Sequence, residues 1–163
     1  MVKILNRRKF IKTSAVAGTA ALMTPKTLFS STESKRIKLG FIGTGLRGQW
    51  MVHLTTKYPE VSIPAICDID KDALIRTRDQ IYVNRYGKWD DEIKLYLNSE
   101  APLGNFDLII IGTPPDTHMK LALEALEEQP KAVLVENPFC TPNLSQADDF
   151  HTRSTSMGVR VFV

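Results

Sequence analysis

Residues Gly43-Thr44-Gly45-Leu46-Arg47-Gly48 spell G-x-G-x-x-G. The spacing carries meaning only where an apolar strand leads in and a helix leads out. Ile37 to Ile42 supplies the strand and Leu46 to Lys57 the helix. In that setting Gly43 permits a tight turn, Gly45 lets the backbone approach a pyrophosphate, and Gly48 lets the helix pack closely on the strand. Thr44, Leu46 and Arg47 complete the turn, and the helix start offers free amides and a positive dipole end to phosphate. Asp68 follows twenty residues after Gly48, at the end of the next apolar run. A carboxylate there can accept hydrogen bonds from the ribose hydroxyls of an adenosine and repels a 2′-phosphate, which favours NAD over NADP. An ordinary strand–helix turn would also use such glycines, and an acid after a strand also serves as a helix cap.

These residues need a scaffold, and the rest of the chain reads as one. Strand-like segments run over Ile37 to Ile42, Val61 to Cys67, Phe106 to Ile111, Ala132 to Val135 and Val159 to Val163. Helix-like segments run over Leu46 to Lys57, Asp70 to Arg85, Thr117 to Glu128 and Leu144 to Ser156. In the second of these, Leu74, Ile75, Ile81 and Tyr82 are the candidate buried positions. Short continuous apolar strands alternating with helices predict an α/β fold: a doubly wound parallel sheet covered on both faces. Asp90 to Asn98 reads as a short helix, and a third strand is expected near Lys88-Trp89.

Four passages give the chain a family likeness: Gly40-Phe41-Ile42-Gly43-Thr44-Gly45, Ala65-Ile66-Cys67-Asp68-Ile69-Asp70, Ile111-Gly112-Thr113-Pro114-Pro115-Asp116-Thr117-His118 and Val135-Glu136-Asn137-Pro138. In order and spacing, residues 37 to 163 resemble the N-terminal half of the Gfo/Idh/MocA oxidoreductases. The resemblance implies a Rossmann domain. It puts Thr113, Pro114 and His118 beside the cofactor path, with His118 more a structural residue than a catalytic one. It also puts Glu136 and Asn137 at a strand end, facing nicotinamide or substrate. Asn137 stands where the family pattern usually has Lys, and an amide cannot donate a proton as an ammonium does. The catalytic residue is therefore unknown. The family's second domain, which supplies most substrate contacts and the oligomer interface, is expected to be absent from this chain.

The chain has 163 residues and a formal net charge of +3. Lys3, Arg7, Arg8, Lys9, Lys12 and Lys26 all precede residue 33, in a stretch without acids, which leaves 15 basic against 18 acidic residues in the remainder. The remainder is thus acidic, and nucleic acid is not an expected partner. Arg7 and Arg8, followed by Phe10, resemble a twin-arginine export signal. The apolar run from Ser14 to Met23 falls short of the ~20 residues a membrane span needs, so no stable anchor is expected. Residues 1–34 thus read as a signal and polar linker, residues 35–163 as the nucleotide-binding domain, and the location as periplasmic or otherwise exported. The two cysteines, Cys67 and Cys140, follow strands that lie roughly 14 Å apart in the usual strand order, beyond the ~7 Å a disulfide allows. Both should be free thiols. No residue spacing suggests a metal site.

Together these readings predict the NAD-binding domain of an exported oxidoreductase acting on a sugar, polyol or related compound. Two alternatives stand beside it. One is an NAD-retaining glycosidase or epimerase. The other is a non-catalytic nucleotide-binding module.

Overall fold

The computed structural model describes residues 36–84, 93–97, 106–140 and 144–163. The segment read as an export signal, the residues Lys88-Trp89 and the acids Asp90, Asp91 and Glu92 lie outside them. Six strands are present among the described residues: β1 (Ile37–Ile42), β2 (Val61–Asp68), β3 (Lys94–Leu97), β4 (Leu108–Ile111), β5 (Ala132–Val135) and β6 (Arg160–Phe162). Four helices accompany them: α1 (Leu46–Thr55), α2 (Lys71–Asn84), α3 (His118–Leu126) and α4 (Ser145–Met157). The sheet is parallel throughout, in the order β3-β2-β1-β4-β5-β6. This is the doubly wound Rossmann arrangement anticipated from the alternating segments.

The run Ile109-Ile110-Ile111 shows how the sheet is covered. Successive strand side chains point to opposite faces. Ile109 and Ile111 join an apolar cluster with Met119, Ala122, Val133 and Phe150, under α3 and α4. Ile110 joins the other cluster, with Phe41, Val52, Leu74 and Ile81, under α1 and α2. A strand buried on both faces has to be apolar at every position, which explains why these strands show no alternation. Of the candidate core positions in α2, Leu74 and Ile81 are buried, Ile75 is half-buried, and the side chain of Tyr82 lies outside the described residues.

The segment around Ile93 corrects the expectation of a short helix over Asp90 to Asn98. Lys94–Leu97 is strand β3, paired with Ala65–Asp68 of β2. Leu95 and Tyr96 are buried and Lys94 and Leu97 exposed. Four residues are too few to show a period, and the open edge of β2 decides the outcome by taking up their backbone hydrogen bonds. A second irregularity sits in β2 itself. Its register with β1 shifts between Lys38 and Gly40. Pro64 falls at that point and has no N–H to give to a ladder.

Candidate functional site

The site is built where the chain reverses its winding. After β1 the chain enters α1 on one face, and after β4 it enters α3 on the other. The carboxyl ends of these neighbouring strands diverge there, and ligands of open α/β sheets bind in the crevice between them. A cleft of about 680 Å³ occupies this position, a size ordinary for a small-molecule pocket.

The glycine turn forms one wall. Gly43 adopts φ +87°, and a Cβ there would lie 2.5 Å from the Thr113 methyl carbon. Its amide donates to the Cys67 carbonyl at 2.9 Å, tying the turn to β2. Gly48 lies inside α1 against the Gly43 carbonyl, with 2.1 Å between that oxygen and an imagined Cβ. Gly45 differs, since nothing lies within 4 Å of a Cβ placed on it. It is therefore not relieving a clash inside the protein. It leaves open space beside the N-terminus of α1, where no side chain caps the helix, and free amides at such an end attract anions.

Asp68 forms the far wall, and its carboxylate is already held. Its Oδ2 accepts from the Thr44 amide at 2.5 Å and from the Thr44 hydroxyl at 2.9 Å. Its Oδ1 accepts from the Asp70 amide at 2.8 Å. The preceding Cys67 is buried, and its Sγ donates to the Phe41 carbonyl at 3.2 Å. Burial pushes this thiol up to about 12, with the Asp68 charge adding to the effect. Across the ladder, burial and then the nearby Cys67 raise Tyr96 above the usual phenol value.

The expected site residues separate into two groups. Gly43, Gly45, Leu46, Arg47, Asp68, Thr113 and Pro114 line the cleft. Thr44, His118, Glu136 and Asn137 do not line it. Thr44 is fully buried behind Asp68. His118 is 1% exposed, with Nδ1 2.9 Å from the Pro138 carbonyl and Nε2 2.7 Å from the Thr113 carbonyl. A ring enclosed by two backbone carbonyls fixes the turns after β4 and β5 and does not reach into the crevice. In this arrangement His118 is a structural tie between the two turns. The Glu136 carboxylate pairs with Arg47, at 3.1 Å from its Nε. The same guanidinium stacks 5.0 Å from the centre of the Trp50 ring. The pair reaches from α1 to the end of β5, with β4 between them in the sheet. Arg47 thus stands between the cleft and Glu136. Asn137 is exposed.

Several lining residues escaped the motif. Ile69 is 81% exposed, a bare apolar surface next to Asp68. Arg76 comes from the second turn of α2 and pairs with Asp70 at 3.4 Å. Thr117 and Lys120 come from the start of α3. Thr117 Oγ1 lies 2.7 Å from both Thr113 Oγ1 and the Pro114 carbonyl, closing the turn after β4. An exposed isoleucine directly after the acid was the only available sign for Ile69. The others depend on which helix faces which strand end.

Among the described residues there is no metal-binding group of His, Cys, Asp or Glu. No helix of theirs is long and apolar enough to cross a membrane. Cys67 and Cys140 are both free, as the strand order implied.

Known proteins share this fold. The chain is 28% identical over 146 residues to a glycosyl hydrolase family 109 protein of Solibacter usitatus, covering 82% of this chain and 33% of that protein. It spans about a third of the length of the curated relatives it matches first. Among solved structures it resembles the WlbA dehydrogenase of Bordetella pertussis, in complex with NADH and UDP-GlcNAcA, with a TM-score of 0.62 at 19% identity, over 78% of this chain and 36% of that one. It also resembles myo-inositol dehydrogenase of Lactobacillus casei, in complex with NAD(H) and myo-inositol, with a TM-score of 0.61 at 22% identity, over 77% and 36% of the two chains. Residues 37–163 match the model of an oxidoreductase family with an NAD-binding Rossmann fold, and by that match the chain belongs to the Gfo/Idh/MocA family.

Proposed function

We propose that this chain is the NAD-binding part of an exported oxidoreductase acting on a sugar, polyol or related small molecule. The cleft at the β1/β4 divergence carries the reading: an uncapped helix start at one end and a fixed carboxylate at the other. Gly43, Gly45, Leu46 and Arg47 would meet the pyrophosphate, and Asp68 the adenosine ribose. Ile69 offers an apolar surface to the adenine. Thr113 and Pro114 would flank the path toward the nicotinamide, whose C4 accepts the hydride when the cofactor is bound. A 2′-phosphate would meet the Asp68 charge, so NAD is favoured over NADP. Residues 1–34 would act as a twin-arginine signal and linker, with residues 35–163 as the domain that reaches the periplasm.

Calorimetric titration of the full chain with NAD and NADP, beside an Asp68→Ala variant, tests the reading. NAD should bind the tighter of the two. The variant should lose about ten- to a hundredfold in NAD affinity, the scale of hydrogen bonds to a charged group. A folded chain that binds neither nucleotide refutes the proposal.

A second reading is favoured by one observation: the curated relative named above is a glycosyl hydrolase. An enzyme of that type would retain NAD and use transient oxidation to cleave or epimerise a sugar. The two readings part on turnover. The first predicts NADH accumulating with substrate, the second NAD carried through purification with no net NADH. A third possibility, a nucleotide-binding module without catalysis, predicts binding and no turnover of any glycoside or polyol.

A further inference from the structure

The Asp68 carboxylate is the group that would read the ribose, and its orientation is set by a residue buried behind it. Thr44 is 0% exposed and sits inside the glycine turn, between Gly43 and Gly45. It donates twice to the same oxygen, Asp68 Oδ2, through its amide and its hydroxyl. The Asp70 amide takes a position on Oδ1. An ionised carboxylate offers about four acceptor positions. Three are filled before any nucleotide arrives, and one remains for a ligand. The carboxylate therefore cannot swing to accept both ribose hydroxyls while the Thr44 hydroxyl holds it. Three donors from two different turns hold it in place.

We infer that Thr44 is a specificity-determining positioning residue: its buried hydroxyl fixes the Asp68 carboxylate in the orientation that accepts one ribose hydroxyl and repels a 2′-phosphate. The inference rests on the proposed NAD-binding reading. It adds that discrimination between NAD and NADP runs through the glycine turn as well as through the acid. One residue thereby links the phosphate-binding turn to the ribose-binding acid, so the two ends of the crevice are not independent.

The test uses the full chain and calorimetric affinities for NAD and NADP. Thr44→Val keeps the shape and removes only the hydroxyl, and Thr44→Ser restores it. Thr44→Val should lower the NAD-to-NADP affinity ratio about tenfold, as expected for losing a hydrogen bond to a charged group. Thr44→Ser should hold the ratio within about twofold of the original. Should the valine variant fail to fold, Thr44→Cys, with a thiol that is only a weak donor, carries the same expectation. A ratio in the hydroxyl-free variant at or above that of the unaltered chain overturns the inference. So does an equal loss for both nucleotides, which would make Thr44 a packing residue only. The unaltered chain and Asp68→Ala are measured in the same series. A chain with no preference for NAD, or an Asp68→Ala variant that keeps it, brings down the underlying reading and the inference with it. A preference that depends on Asp68 but not on Thr44 brings down the inference alone.

Discussion

Cys67 and Asp68 are consecutive in β2, yet one side chain is sealed in the core and the other faces the cleft. Burial, reinforced by the Asp68 charge, raises the thiol from 9.0 to about 12. In the unfolded chain the same thiol ionises near 9, so from there upward the unfolded state releases a proton that the folded state keeps. The stability linked to this group is therefore complete below pH 9 and is lost as the pH climbs toward 12. The slope approaches ~1.4 kcal/mol per pH unit. Urea unfolding between pH 8 and 11 should show this decline, and a Cys67→Ala variant should show a shallower one, since Tyr96 is raised as well. A variant with the same slope as the unaltered chain would assign the decline to other groups. Arg47 has a smaller energetic role: its side chain is 59% exposed, and a pair with one partner so solvated contributes on the order of 1 kcal/mol or less. Its importance is positional, because it joins the glycine turn to the end of β5.

At the scale of elements, the tightest constraint is the crossing of α1 over the turn after β1. A Cβ at Gly48 would lie 2.1 Å from the Gly43 carbonyl oxygen, and that oxygen belongs to backbone that cannot rotate away. Gly48→Ala must therefore push α1 off the strand, and a loss of more than ~3 kcal/mol in denaturant unfolding is expected. Gly45→Ala meets no such obstacle in the protein. It should leave the unfolding midpoint nearly unchanged and weaken only nucleotide binding. This contrast between two glycines of one motif was legible in the spacing, because the motif is local and its strand and helix flank it directly. Asp68 was legible for the same reason. The Thr44–Asp68 contact spans 24 residues, and Arg47 meets Glu136 across the sheet. Both exist only because β1, β2, β4 and β5 are ordered as they are, and no local pattern encodes strand order. Strand β3 was misread for a related reason: its four residues take their conformation from the edge of β2, and their own pattern is ambiguous. His118 was legible as a structural residue, but its two carbonyl partners were not, since they lie after different strands.

The whole molecule is a sheet between two apolar layers, and the central strands serve both. Ile111 is 0% exposed in the layer under α3 and α4. Ile111→Ala should cost ~2–5 kcal/mol, as large-to-small changes in a packed core do. Thermal or urea unfolding reads this directly, and a loss below ~1 kcal/mol would mean that the layer is looser than its burial implies. The strand order also has a consequence in time. β1 pairs with β2 on one side and with β4 on the other. As the chain leaves the ribosome, β2 emerges soon after β1, but β4 begins only at Leu108. Throughout that interval Leu39 to Ile42 present an unpaired hydrogen-bonding edge, of the kind that recruits other chains. Synthesis arrested before Leu108 should therefore yield an aggregating product, while arrest beyond Val135 lets β4 close that edge and β5 cover β4 in turn. The crevice that would hold the nucleotide is the seam where the late half of the sheet joins the early half.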